Sequence, residues 1–286
     1  MKWQTLSPDG KTVCLRKFEG DFGFMNGKET AQVPNRSINR GLYIDTETTG
    51  LLHESDEIIE IACREFTFDP ATGTVQDVMA YYQGFQQPRE PLKTETKIIT
   101  GLTDKDLEGQ QIRWEMVSEM IERAQLVLAH NAGFDRPFVD KKCEMSKNRI
   151  WGCTSEQIGW LERHEYPSKK LELLCHYHGF FTDAHRALND VNAMLYILTM
   201  KQYLWELISD IRQPMVKVQA LNSPFPTKDL LKSRGYSWDP NRKTWHTTIP
   251  EANLATEIEF LETQVYMNRF PGKVTKLKAS ERFKAA

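Results

Sequence analysis

The sequence predicts an α/β fold, a mixed sheet flanked by helices and followed by a small C-terminal α+β domain. Three observations lead there. Strand-like runs come first and close together over residues 41–82, helical spacing then alternates with short apolar runs over residues 114–200, and a compact strand–helix–hairpin–helix pattern follows residue 213. A length of 286 residues suits about two domains.

Taken in order, residues 1–38 form an N-terminal extension without alternation or helical spacing, broken by Gly20, Gly23, Gly27 and Pro34. GLYID at 41–45 is a short apolar strand, and Ile59, Ile61, Cys63, Phe66 and Phe68 mark a second. The DPATG turn at 69–73 folds a third strand, through Val75, Val78 and Tyr81–Tyr82, back as a hairpin. Trp114, Val117, Met120 and Ile121 recur as a helix face, and Leu126–Ala129 reads as a buried strand. A helix is expected from about Phe134, a short strand at Ile150–Cys153, a helix ending at Gly179, and a long helix capped near Asp183 with Leu188, Val191, Leu195 and Leu198 inward. The main domain thus spans 39–212, a small β-α-β-β-α accessory domain 213–270, and a basic tail 271–286.

Composition narrows the class. With 40% hydrophobic and 27% charged residues the chain folds and is not disordered throughout. No run of 18 apolar residues spans a bilayer and no secretory signal opens the sequence, so a cytoplasmic protein with no membrane partner is expected. Five cysteines, none spaced C-x-x-C, read as buried thiols in a reducing compartment, not as a disulfide scaffold. Cys175, His176 and His178 lie too close together on one helix turn to share an ion and read as structural. From Gln213 onward there are 12 Lys/Arg and 7 Asp/Glu, a net +5, which leaves −7 for the first 212 residues out of the total of −2. The second part is suited to a polyanion and the first gathers carboxylates.

Those carboxylates carry the chemistry. Asp45 and Glu47, one residue apart on a strand, share one sheet face, where a buried acidic pair is costly unless a cation neutralises it. Asp135 follows the buried strand in the run HNAGFD (130–135), where it could also cap a helix. Asp190 flanks the apolar stripe of the long helix. His185, five residues earlier, would point some 140° away if both were helical, which places it on the lead-in to the helix. In the C-terminal hairpin, Tyr236, Trp238, Arg242, Lys243 and Trp245 interleave, either to stack on bases beside phosphates or to build that domain's core.

YIDTETTGL (43–51), HNAGFD (130–135) and HRALND (185–190) resemble, in order and spacing, the three motifs of the DnaQ-like DEDDh exonucleases. IITGLTDKDLEG (98–109) and KLELLCHYHG before the third motif are also similar; Thr100 stands where many relatives carry histidine. The resemblance covers about residues 39–205. It implies a ribonuclease H-like sheet of five strands. It implies that Asp45, Glu47, Asp135 and Asp190 bind two divalent cations, Mg²⁺ or Mn²⁺, as all-oxygen ligands favour. His185 would be the general base, Thr48, Leu51 and Asn131 would contact the substrate, and nucleoside monophosphates would leave from 3′ ends. Single-stranded nucleic acid or 3′ ends, DNA ahead of RNA, are the expected partners, together with a DNA polymerase or repair protein. The alternatives are an RNA-trimming exonuclease, oligoribonuclease-like or RNase T-like, and a non-catalytic nucleic-acid-binding subunit.

Overall fold

The computed structural model describes residues 7–23 and 39–285; the rest of the expected N-terminal extension lies outside them. Within that extension a two-residue strand β1 (Arg16–Lys17) forms, followed by β2 (Asn39–Thr48), β3 (Ile58–Phe68), β4 (Val75–Phe85), the short helices α1 (Thr94–Thr100) and α2 (Asp104–Leu107), and α3 (Trp114–Arg123). Then come β5 (Leu126–Ala129), α4 (Ala132–Lys142), β6 (Trp151–Cys153), α5 (Leu171–Tyr177), β7 (Phe180–Phe181), α6 (Ala187–Met200) and α7 (Tyr203–Arg212). The last stretch adds β8 (Met215–Ala220), α8 (Lys228–Ser233), β9 (Ser237–Asp239), β10 (Thr244–Pro250), α9 (Leu254–Phe260) and β11 (Lys273–Leu277).

Two compact units result, one of residues up to Asp210 with 283–285, the other of residues 211–282. The first is built on a five-stranded sheet of order β4-β3-β2-β5-β6, the expected mixed α/β architecture. β4, β3 and β2 run antiparallel as a meander, whereas β5 and β6 join parallel, because α3 and α4 intervene as crossovers. Leu42, Ile44 and Val127 pack with Val117, Met120, Phe138 and Val139 of α3 and α4 in a fully buried layer. α6 lies against β2, β3 and β4. Where β3 meets β4 the register shifts between Arg64 and Phe66 and again between Thr67 and Phe68.

Three expectations need correction. The long helix begins at Ala187, not near Asp183, because His185 just before it adopts a left-handed φ of 60°; Asp183 instead pairs with Lys17 at 2.9 Å. The extension is not wholly irregular: β1 pairs parallel with β7, and Phe18 stacks on Tyr196 of α6, ring centroids 4.2 Å apart. Lys273–Leu277, expected in a basic tail, is the edge strand β11 of a second sheet, order β11-β8-β10-β9. Val216, Val218 and Ala220 of β8 face Leu231, Tyr236, Leu261 and Val265 in that unit's own core.

All five cysteines are free; Cys63, Cys143, Cys153 and Cys175 are buried and Cys14 is exposed. His178 is a core histidine, with ring nitrogens bonded to the Leu174 carbonyl at 2.6 Å and the Tyr203 hydroxyl at 2.9 Å. Among the described residues, no helix is long and apolar enough to cross a membrane.

Candidate active site

β2 carries Asp45 and Glu47 at its C-terminal end. Leu42 and Ile44 turn to the α3–α4 layer, so strand alternation turns Asp45 and Glu47 to the opposite face, against which α6 packs. The first turn of α6 brings Asp190 to the same place. One carboxylate oxygen each from Asp45, Glu47 and Asp190 lie within 4.8 Å of one another.

Asp135 stands outside that trio but close to it. Thr46, between the two strand acids, reaches to the other side of the sheet, where its hydroxyl donates to Asp135 Oδ1 at 2.8 Å and its amide at 3.1 Å. The first turn of α4 is thereby tied to the end of β2, and Asp135 is buried.

Electrostatics set these acids apart from surface carboxylates. Burial, reinforced by the charges of Asp135, Asp190, Glu47 and Glu60, holds Asp45 well above the ordinary carboxylate range. Glu47 is pushed up to about 8 by burial and by the charges of Asp190, Glu60 and Asp135, with Arg186 pulling the other way. Burial raises Asp190 to about 7 against backbone hydrogen bonds from His185 and Arg186, and raises Asp135 to about 7 against the bonds from Thr46. Converging acids that resist ionisation become fully charged only when a cation compensates them. An all-oxygen donor set suits a hard divalent ion, so this cluster can hold one.

The other expected residues surround the acids. His185 sits at an exposed bend one residue before Arg186, the N-cap of α6, and its ring is not among the converging ligand atoms. Thr48 donates its hydroxyl to the Gly50 carbonyl at 2.6 Å. Leu51 is 81% exposed, so its side chain is free to meet a ligand. Asn131, left-handed with φ 87°, is the exposed residue that turns β5 into α4.

Two groups went unnoticed in the sequence. Glu60 is 0% exposed and pairs across the sheet with Glu47; its Oε1 accepts from Gln83 Nε2 at 2.6 Å and its Oε2 lies 3.3 Å from Arg186 Nε. The signal was available, since one acid interrupts the apolar run IIEIAC. Beneath the site, the Thr154 hydroxyl joins the Tyr43 hydroxyl at 2.7 Å to His130 Nδ1 at 3.0 Å. His130 Nε2 meets the Lys169 carbonyl at 2.8 Å, and burial lowers its pKa to about 4, so the motif histidine next to Asn131 is a neutral structural group.

Residues 42–198 match a family model described as Exonuclease, RNase_T. Among curated proteins, the DNA polymerase III PolC-type of Staphylococcus haemolyticus is 29% identical over 210 residues, 68% of this chain and 14% of that protein. The PolC-type polymerase of Staphylococcus aureus is 31% identical over 172 residues, 57% of this chain and 11% of its own. The chain therefore spans only a small part of the length of these relatives. Among solved structures, the zinc-ion-bound form of the E. coli ExoI–ssDNA complex is similar in fold, with a TM-score of 0.50 and 15% identity over 85% of this chain and 63% of that one.

Proposed function

The chain belongs to the DnaQ-like exonuclease family, and from that premise we propose that residues 39–212 form a domain that removes nucleotides one at a time from the 3′ ends of nucleic acid, DNA being the preferred substrate. The observation that carries this reading is the meeting of Asp45, Glu47 and Asp190 within 4.8 Å beside the buried Asp135. The polymerase names of the relatives support DNA over RNA, and a DNA polymerase or repair protein as partner.

Asp45, Glu47, Asp135 and Asp190 would hold two divalent cations, Mg²⁺ or Mn²⁺. When bound, these supply an acidified water and neutralise charge at the scissile phosphate. His185 takes the proton of the attacking water on a ring nitrogen; its exposed position on the lead-in to α6 lets it approach from outside the carboxylate cluster. Thr48 lies beside the terminal 3′ hydroxyl, Leu51 covers the last base with its exposed side chain, and Asn131 positions the strand. Thr46 holds Asp135 in place and the Glu60–Arg186 pair anchors the segment that carries His185.

The test is a substrate panel. End-labelled single strands of DNA and RNA are incubated with Mg²⁺, Mn²⁺ or EDTA and resolved by length. A ladder shortening from the 3′ end of DNA, with monophosphate release and none in EDTA, is the expected result. Intact strands under all conditions would leave only a binding role for the fold.

A further inference from the structure

We propose that the open face of the second sheet, opposite its helices, binds the sugar–phosphate backbone of single-stranded nucleic acid; this rests on the reading of the chain as a nucleic-acid exonuclease. Of the two readings of the hairpin, the core reading holds for Tyr236, which is buried, and for Trp245, which packs against the core of this unit with its ring 5.5 Å from the half-exposed Trp238. Register separates the two faces. Trp245 pairs with Ala220 and Val274 with Val218, all on the helix-covered side, so Lys217 and Gln219 of β8, Thr244, His246 and Thr248 of β10, and Lys273 and Thr275 of β11 share the other side.

That side forms a groove of about 460 Å³ lined by Lys217, Arg242 and Lys273 together with Gln219, Thr244, Thr275 and two leucines, Leu221 and Leu277, and no carboxylate lines it. Among the described residues, neither Lys217 nor Lys273 has an ion-pair partner. Asp239 lies at the rim 3.6 Å from Arg242, but it is buried and its Oδ1 is engaged by the amides of Asn241 and Arg242. Burial first, and then the charge of Lys217, holds His246 below the ordinary imidazole value, with Asp239 pulling the other way and Arg242 adding a smaller push downward. Lys217 and Lys273 are diagonal neighbours on adjacent strands, roughly 7–8 Å apart, so successive phosphates of an extended strand can meet both. The Thr275 hydroxyl and the Gln219 amide between the cations suit phosphate oxygens, and without an aromatic platform in the groove the contacts do not depend on base identity.

The test uses the full-length chain in EDTA, so that binding is measured without turnover. Affinity for a fluorescent oligothymidylate of about 20 nucleotides is followed by anisotropy between roughly 50 and 200 mM salt. Replacing Lys217, Arg242 and Lys273 together by Gln should weaken binding at least about tenfold at the lower salt and make the log–log salt slope shallower by about 2. A control that removes the same charge from the helix side, Lys228→Gln with Lys232→Gln and Lys276→Gln, should change both quantities far less. Equal losses in the two variants would reduce the effect to net charge and overturn the proposal, as would unchanged affinity in the groove variant. Cleavage of thymidine 5′-p-nitrophenyl phosphate, too small to span the groove, separates the two readings. Groove variant and wild type should hydrolyse it alike, whereas inactivity of the wild type would count against the exonuclease reading while leaving the binding comparison intact.

Discussion

At the scale of single residues, the proposed roles separate by what each substitution removes. His185→Ala is expected to lower kcat by about 10²–10⁴ while leaving affinity for a single strand nearly unchanged, since one proton acceptor is lost and no ligand. Asp45→Ala should lower both activity and cation affinity, as isothermal titration with Mn²⁺ would report. The same-face pairing of Asp45 with Glu47 was legible from a spacing of two, and His185 on the helix lead-in from the angle it would otherwise make. What the sequence could not display is that Asp135 arrives from the far side of the sheet on the Thr46 hydroxyl, because that bond joins residues 89 apart. Glu60 stood out as the one acid in an apolar run, but its pairing was illegible for a related reason: its partner Arg186 is 126 residues away. Arg186→Met leaves Glu60 buried next to Glu47 without its cation, with only the Gln83 amide still bonded to it. The expected cost is about 2–3 kcal/mol, below the ~3–5 kcal/mol of a fully buried pair because the guanidinium is partly solvated, and the double variant with Glu60→Gln should recover much of it in thermal unfolding.

Among elements, the hairpin joining β3 and β4 shows how local chemistry and distant packing combine. Its DPATG turn was readable: the Gly73 amide donates to the Asp69 carbonyl at 2.8 Å, and Gly73 takes a left-handed φ of 67°. Unreadable was the backbone of Trp205 in α7, which passes so close that a Cβ at Gly73 would meet its nitrogen at 2.2 Å. Gly73→Ala should therefore cost about 2–4 kcal/mol, left-handed strain plus overpacking, whereas Gly109→Ala, also left-handed but with open space around it, should cost only about 1–2 kcal/mol. Chemical denaturation of both variants checks the difference. A similar limit applied to α6, whose apolar stripe was plain but whose start was not, since the left-handed His185 moves the N-cap three residues on, from Asp183 to Arg186. The short helices α1 and α2 carry too few turns for their periodicity to stand out.

For the molecule as a whole, the carboxylate cluster couples folding to pH and to cations. In the unfolded chain Glu47, Asp135 and Asp190 ionise near pH 4 to 4.5, whereas in the metal-free fold they keep their protons to about 8, 7 and 7. The folded state thus binds more protons across that window, and its stability from these groups is complete below about pH 4 and lost as pH rises through 7–8. Melting in EDTA should accordingly fall between about pH 5 and 8, while the increment from added Mg²⁺ grows, reaching about 2.7 kcal/mol, roughly 5–10 °C, at a hundredfold excess over Kd. An increment constant with pH would argue against these acids as ligands. The mixed sheet was legible because a meander followed by alternation permits few other arrangements. The second sheet was less so, since the strand Lys273–Leu277 carries two lysines in five residues and reads as solvated chain until β8 offers it hydrogen bonds. The paired register shifts along β3 and β4 bear on how this protein behaves at high concentration. Among the described residues β4 is an eleven-residue border strand paired on one flank only, long enough to template fibril growth, but its two dislocations twist the ribbon so that an incoming chain finds no straight run of donors and acceptors to zip onto.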